Sequence, residues 1–211
     1  MSRVKGWQRG RGNSQNDWRN RRVAVKDERP RILIVCEGLK TEPGYFKGFK
    51  LANVNLQVVP AGMIHISVVE HTKKILTEDS DYEEVWCVFD RDKHDVNPKD
   101  LNLFNTALAE AKKYKIKVAY SNDAFELWYL LHFNYYDTAM SRQDYIHKLN
   151  DLIDGGYRKN DPTMFEKLES RMPIAIRNAK KLYDLSDKNN PGNADPSTTI
   201  FKLVKRLREL G

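Results

Sequence analysis

Ile32-Leu33-Ile34-Val35-Cys36 is an unbroken apolar run, rich in β-branched residues and bounded by Pro30 and Gly38. A strand buried on both faces shows no polar alternation, so this run predicts a strand inside a parallel sheet. Glu84-Val85-Trp86-Cys87-Val88-Phe89 reads the same way and runs directly into Asp90-Arg91-Asp92. Between these runs the period lengthens. Tyr45, Phe46 and Phe49 share one face of a predicted helix over 42–50, with Pro43 in its first turn. Residues 54–59 predict a second strand with weaker alternation, and 67–77 a helix that Asp79-Ser80-Asp81 ends. Pro98 and Asp100 open a helix to about residue 114, with Leu101, Phe104, Leu108 and Ala111 inward. A fourth strand is predicted over 115–120, then a cap cluster, Ser121-Asn122-Asp123, and an apolar helix over 125–133.

From residue 137 onward only the helical period remains. The last helix is predicted to start at Ser197 as N-cap, after Pro196, with Ile200, Leu203, Val204 and Leu207 at core spacing. Strands alternating with helices imply an α/β fold with a parallel, doubly wound sheet. The 211 residues suit one ordinary domain with an appendage. The expected division is a basic flexible tail over 1–29, an α/β core over 30–136, and a helical part over 137–211 that packs on the same core or forms a lobe.

Charge changes the picture at one end. Residues 1–31 hold ten basic and three acidic side chains, and the other 180 residues balance at 26 of each, so the net +7 belongs to the tail. Its glycines and polar spacers predict no packed core. Trp7 and Trp18 stand among Arg9, Arg11, Arg19, Arg21 and Arg22, a mixture that grips phosphate and stacks on bases. The bland alternative is a solvated leader without a specific partner. No apolar run approaches the ~20 residues that span a bilayer, and no secretory h-region is visible, so a cytoplasmic protein without membrane contact is expected. Cys36 and Cys87, inside predicted strands, are expected as buried free thiols.

Ligands of open parallel sheets bind beyond the carboxyl ends of the strands. Two of the predicted strands end in acids: Cys36-Glu37-Gly38 and Phe89-Asp90-Arg91-Asp92. Carboxylates gathered there repel one another unless a cation offsets them. Hard oxygen donors favour Mg²⁺ or Mn²⁺ over zinc. Glu37, Asp90 and Asp92 are therefore the expected metal ligands; the structural alternative is that Asp90 and Glu37 merely cap the following helices. Lys40 and Arg91 are candidate phosphate contacts. Glu126, on an otherwise apolar helix, needs a partner, with the metal site or Arg91 as candidates. His132 reads as a satisfied histidine, and His94 as an assistant to Asp92 at most.

The blocks Cys36-Glu37-Gly38-Leu39-Lys40-Thr41-Glu42-Pro43, Val85-Trp86-Cys87-Val88-Phe89-Asp90-Arg91-Asp92 and Ser121-Asn122-Asp123-Ala124-Phe125-Glu126-Leu127-Trp128 resemble the RloB-like family, over roughly 31–134. A looser match surrounds Asp195-Pro196-Ser197-Thr198, and Asp123 stands where the family's Ser-Asn-Pro pattern carries proline. The resemblance implies a Toprim-like fold and a Toprim nuclease linked with restriction and phage-defence loci. It implies a metal-ligand or acid/base role for Glu37 and a metal-holding role for Asp90 and Asp92. The leading expectation is a metal-dependent nuclease acting on RNA (tRNA-like) or DNA, with Glu37, Asp90, Asp92, Glu126 and Lys40 in the chemistry and nucleic acid bound by Lys40, Arg91 and the tail arginines. A defence-system partner protein is a further expectation. The alternatives are a non-catalytic adaptor that docks onto a larger complex, and a nucleotidyl- or phosphotransferase. The latter is disfavoured because no phosphate-cradling Gly-rich loop is present.

Overall fold

The computed structural model describes residues 29–91 and 98–211. β1 (Arg31–Cys36), α1 (Thr41–Lys47), β2 (Asn55–Pro60), α2 (His65–Glu78), β3 (Glu84–Asp90), α3 (Pro98–Lys113) and β4 (Lys117–Asn122) alternate as the patterning predicts. α4 (Glu126–Leu130), α5 (Arg142–Leu152), α6 (Met164–Glu169), α7 (Met172–Leu185), β5 (Ser197–Thr198) and α8 (Ile200–Leu210) complete the chain. The sheet order is β2-β1-β3-β4-β5, parallel throughout except for β5, which pairs antiparallel with β4. This α/β architecture, a five-stranded and mostly parallel sheet flanked by helices, is consistent with a Toprim-like fold.

Successive side chains of a strand point to opposite faces, and β1 divides its residues accordingly. Ile32, Ile34 and Cys36 join one buried cluster with Trp86, Val88 and residues of α1 and of α4 through α8. Leu33 and Val35 join the other with Cys87, Phe89, Val68 and Phe104, under α2 and α3. Both faces are covered, which is why these runs carry no polar alternation. The helices after residue 137 share the first cluster with the sheet.

Two local features depart from the predicted pattern. The apolar helix over 125–133 is shorter, Glu126–Leu130, with tighter turns on either side: Trp128 N–H donates to Phe125 O and Phe133 N–H to Leu130 O. Every residue of α4 is buried, so its apolar run reflects enclosure on all sides rather than helix length. Ser197 is not an N-cap. It pairs with Asn122 as part of β5, and α8 starts after Thr199. The Thr198 hydroxyl bonds to Tyr120 O and accepts from Ile200 N–H, linking strand edge and helix start. The cap chemistry there serves a sheet pairing that a helical period cannot reveal. The Asn122–Asp123 peptide bond is cis, at the position where the Ser-Asn-Pro pattern carries its proline. Cys36 and Cys87 are buried free thiols. Burial pushes Cys87 up to about 12 and Cys36 well above its ordinary value, so neither is a thiolate at neutral pH.

Candidate functional site

The chain runs from β1 to β2 on one side, then recrosses to place β3 on the other side of β1. The strand order therefore reverses between β1 and β3, where an open α/β sheet leaves a crevice. The register aligns Cys36 with Val88, so Glu37 and Asp90 leave the sheet together at that crevice. Glu37 N–H donates to Val88 O at 2.8 Å, and its Oε2 accepts from the Asp90 N–H at 3.2 Å.

A cavity of about 410 Å³ opens there, lined by Glu37, Gly38, Lys40, Thr41, Glu42, Asp90, Phe125, Glu126, Arg142, Lys159 and Asn160, with Leu39 at its rim. Four of the predicted residues are thus brought together: Glu37, Asp90, Glu126 and Lys40. Asp92, His94 and the tail residues Arg9, Arg11, Arg19, Arg21 and Arg22 lie outside the described residues. Arg91 is buried and does not line the cavity; its Nε donates to Gly192 O at 3.2 Å. Alternate residues leave a strand on opposite sides, which separates Arg91 from its neighbour Asp90.

Glu126 has a partner that the sequence does not announce. It is 4% exposed, and the Tyr157 hydroxyl donates to its Oε1 at 3.0 Å. Tyr157, Lys159 and Asn160 belong to the segment between α5 and α6. Thr41 Oγ1 donates to Asn160 Oδ1 at 2.8 Å and ties that segment to the start of α1. Gly155 and Gly156, both at positive φ, form the turn that brings it back. Arg142 approaches from α5, with an Nη2 to Asp90 Oδ2 separation of 3.4 Å. The Ser141/Asp144 capping box fixes this helix start, and that Ser-x-x-Asp signature was the available signal for Arg142. For Tyr157 and Lys159 no motif exists.

Glu42 also belongs to the site, although a first-turn acid has a simpler helix-dipole explanation. Its side chain folds over Gly38 so closely that a Cβ there would meet Glu42 Oε2 at 2.0 Å. Burial pushes the Glu42 carboxyl above its usual range; Glu126 reinforces the shift, while Lys159 and Arg142 oppose it. The cavity therefore gathers four carboxylates and holds Arg142, Lys40 and Lys159 around them. Among the described residues no group of three or more His, Cys, Asp or Glu side chains has metal-ligand arrangement. Glu37 and Asp90 are adjacent oxygen donors of the hard type that Mg²⁺ and Mn²⁺ accept, so the donor chemistry fits such an ion.

His132, fully buried, has Nδ1 2.9 Å from Trp128 O and stacks edge-on against Trp128 and Tyr45. It is a core residue. No described helix is long and apolar enough to cross a membrane.

Neither a curated protein nor a solved structure matches the chain. The family described as RloB-like protein matches residues 32–207, from the first strand into the last helix. That span takes in the sheet, the cavity and the C-terminal helices together, and the chain belongs to the RloB-like family.

Proposed function

We propose that this protein is a metal-dependent phosphodiesterase, a nuclease of a restriction-linked or phage-defence system acting on RNA or DNA. The observation that carries the reading is the meeting of Glu37, Asp90 and Glu126 with Lys40, Arg142 and Lys159 in one cavity at the β1/β3 crevice. Carboxylates and cations gathered around one cavity suit a substrate that is itself anionic and needs a cation to be attacked. Glu37 and Asp90, with Asp92, would hold Mg²⁺ or Mn²⁺, which when bound polarises a phosphoryl oxygen and lowers the pKa of water.

The chain's own residues have separable tasks. Lys40, Arg142 and Lys159 offset phosphate charge, Arg142 with its planar fork and the lysines as point charges. Glu126, oriented by Tyr157, is placed to move a proton at the scissile position. Glu42 stays protonated to a higher pH than an ordinary glutamate and is a candidate acid beside it. The family's link with restriction and defence loci supports the biological setting.

A non-catalytic nucleic-acid-binding adaptor is the second reading. The Asp90–Arg142 pair favours it, because an arginine already offsets one of the carboxylates a metal would need. Incubating the purified protein with labelled tRNA, single-stranded RNA and plasmid DNA, in Mg²⁺, Mn²⁺ or EDTA, separates the two. Cleavage that EDTA stops is the expected result. Binding without cleavage under every condition leaves the adaptor.

A further inference from the structure

Acidic and basic side chains are unevenly shared between the parts of the fold. Residues 32–170, which build the cavity, carry 17 basic and 22 acidic side chains; residues 171–211 carry nine basic and four acidic. The stretch that contains α7 and α8 is therefore net basic, beside a net acidic 32–170. At ~100° per residue, Arg177, Lys180 and Lys181 fall within one outward sector of α7, and all three are exposed. The buried Ala175, Ala179 and Leu182 occupy the opposite side.

Aromatic rings flank that sector. Lys181 Nζ lies 4.1 Å from the Tyr135 ring centroid. On the other flank Lys202 of α8 lies 3.9 Å, and Lys188 5.2 Å, from the ring of Tyr183. Near the start of α7, Arg171 stands 5.0 Å over Phe133. Tyr135, Tyr183 and Phe133 are all half-buried, each presenting part of a ring beside a cation. Asp184 sits within the outward sector, bonded to Lys180. That bond, reinforced by Lys188 and Lys202, holds its carboxyl below the usual range, as expected in a positive field.

A row of exposed lysines is ordinarily just a solvated face. Here the cations come from α7, its flanking residues and α8, and rest on rings supplied by two separate stretches of chain, 133–135 and α7, while residues 32–170 carry a net negative charge. We infer that the outward face of α7, flanked by Tyr135 and Tyr183, is a docking track for single-stranded nucleic acid. The lysines meet successive phosphates, and the ring each one vacates becomes a platform for a base. A protein chain would need matching acidic and apolar groups; a nucleic-acid strand supplies anion and π-face at every residue. The inference does not require the cavity to be catalytic.

The test is fluorescence anisotropy of a labelled single-stranded RNA oligonucleotide with the full chain in EDTA, over a salt series. The Lys181→Gln/Lys188→Gln/Lys202→Gln variant is compared with wild type and with Lys74→Gln/Lys112→Gln/Lys113→Gln, which neutralises exposed lysines of α2 and α3 across the sheet. The α7/α8 variant should bind at least ~10-fold more weakly at low salt, with the slope of log K against log salt reduced by about 2. The α2/α3 variant should stay within ~2-fold of wild type. A Tyr135→Leu/Tyr183→Leu variant should weaken binding without changing the salt slope, since stacking releases no counterions. Wild-type affinity and slope in the α7/α8 variant, an equal loss in the α2/α3 variant, or no binding by wild type would each overturn the inference. Because EDTA is present throughout, the result is independent of whether the cavity cleaves.

Discussion

At position 38 the backbone passes directly beneath the Glu42 carboxylate, and only a residue without a side chain leaves that carboxylate in the cavity. A methyl group there meets Glu42 Oε2 at 2.0 Å. The clash is with the end of a flexible side chain, so Gly38→Ala should cost at most ~1–2 kcal/mol of stability while displacing Glu42. Chemical denaturation and the cleavage assay together check this, and activity should fall further than stability. Glu42 has its own pH signature. A raised folded pKa means the native state holds a proton that the unfolded state releases, so its stabilising contribution is full below the ordinary value of 4.5 and fades as pH rises through the folded pKa. Glu42→Gln should therefore raise the melting temperature near neutrality and lose that advantage in acid. His132 runs the other way. Burial lowers it from 6.5 to about 4, so stability is intact above 6.5 and falls by an amount on the order of 3 kcal/mol as pH drops through that window. Urea titrations across the range should show this acid-side loss, and His132→Phe should flatten it.

Among the elements, those with both faces buried are the ones a reader of the sequence finds most easily. β1 and β3 are continuous apolar runs because α1 and α4 cover one face and α2 and α3 the other. β5 escapes detection because two residues, Ser197 and Thr198, gain their strand character from pairing with β4, a contact more than seventy residues away in sequence. α4 is mis-sized for a related reason, since enclosure on every side erases the polar stripe that marks a helix end. The join between α1 and α6 offers a stringent check on packing. Gly48, at the end of α1, lies where a Cβ would meet Phe165 Cγ at 2.2 Å. Phe165 is itself buried and wedged against Phe49 at 4.7 Å between ring centroids. Gly48→Ala should thus destabilise by ~1–3 kcal/mol, more than Gly38→Ala, because a packed ring yields less than a carboxylate. Equal midpoints for the two variants in a denaturation series would contradict the difference.

Across the whole molecule, topology assembles the candidate site from stretches that no local motif connects. Glu37 and Asp90 were legible because each follows a buried strand, and the strand order makes those two ends neighbours. Glu126 was legible as a charged residue out of place on an apolar helix. Arg142, Tyr157 and Lys159 were not, since they reach the cavity from segments whose position depends on how the C-terminal helices pack. Arg91 shows the converse limit: its place beside Asp90 in sequence suggests a shared task, yet it bonds to Gly192 on another side. The central claim is that the β1/β3 carboxylates are kept for metal-assisted cleavage. Its most direct test is to measure cleavage in Mg²⁺ or Mn²⁺, and melting temperature in EDTA, side by side for wild type, Glu37→Gln and Asp90→Asn. The account predicts that both variants fold, melt at or slightly above the wild-type temperature through relief of carboxylate repulsion, and lose cleavage. Cleavage equal to wild type in both variants, on every substrate the wild type cuts, would contradict it.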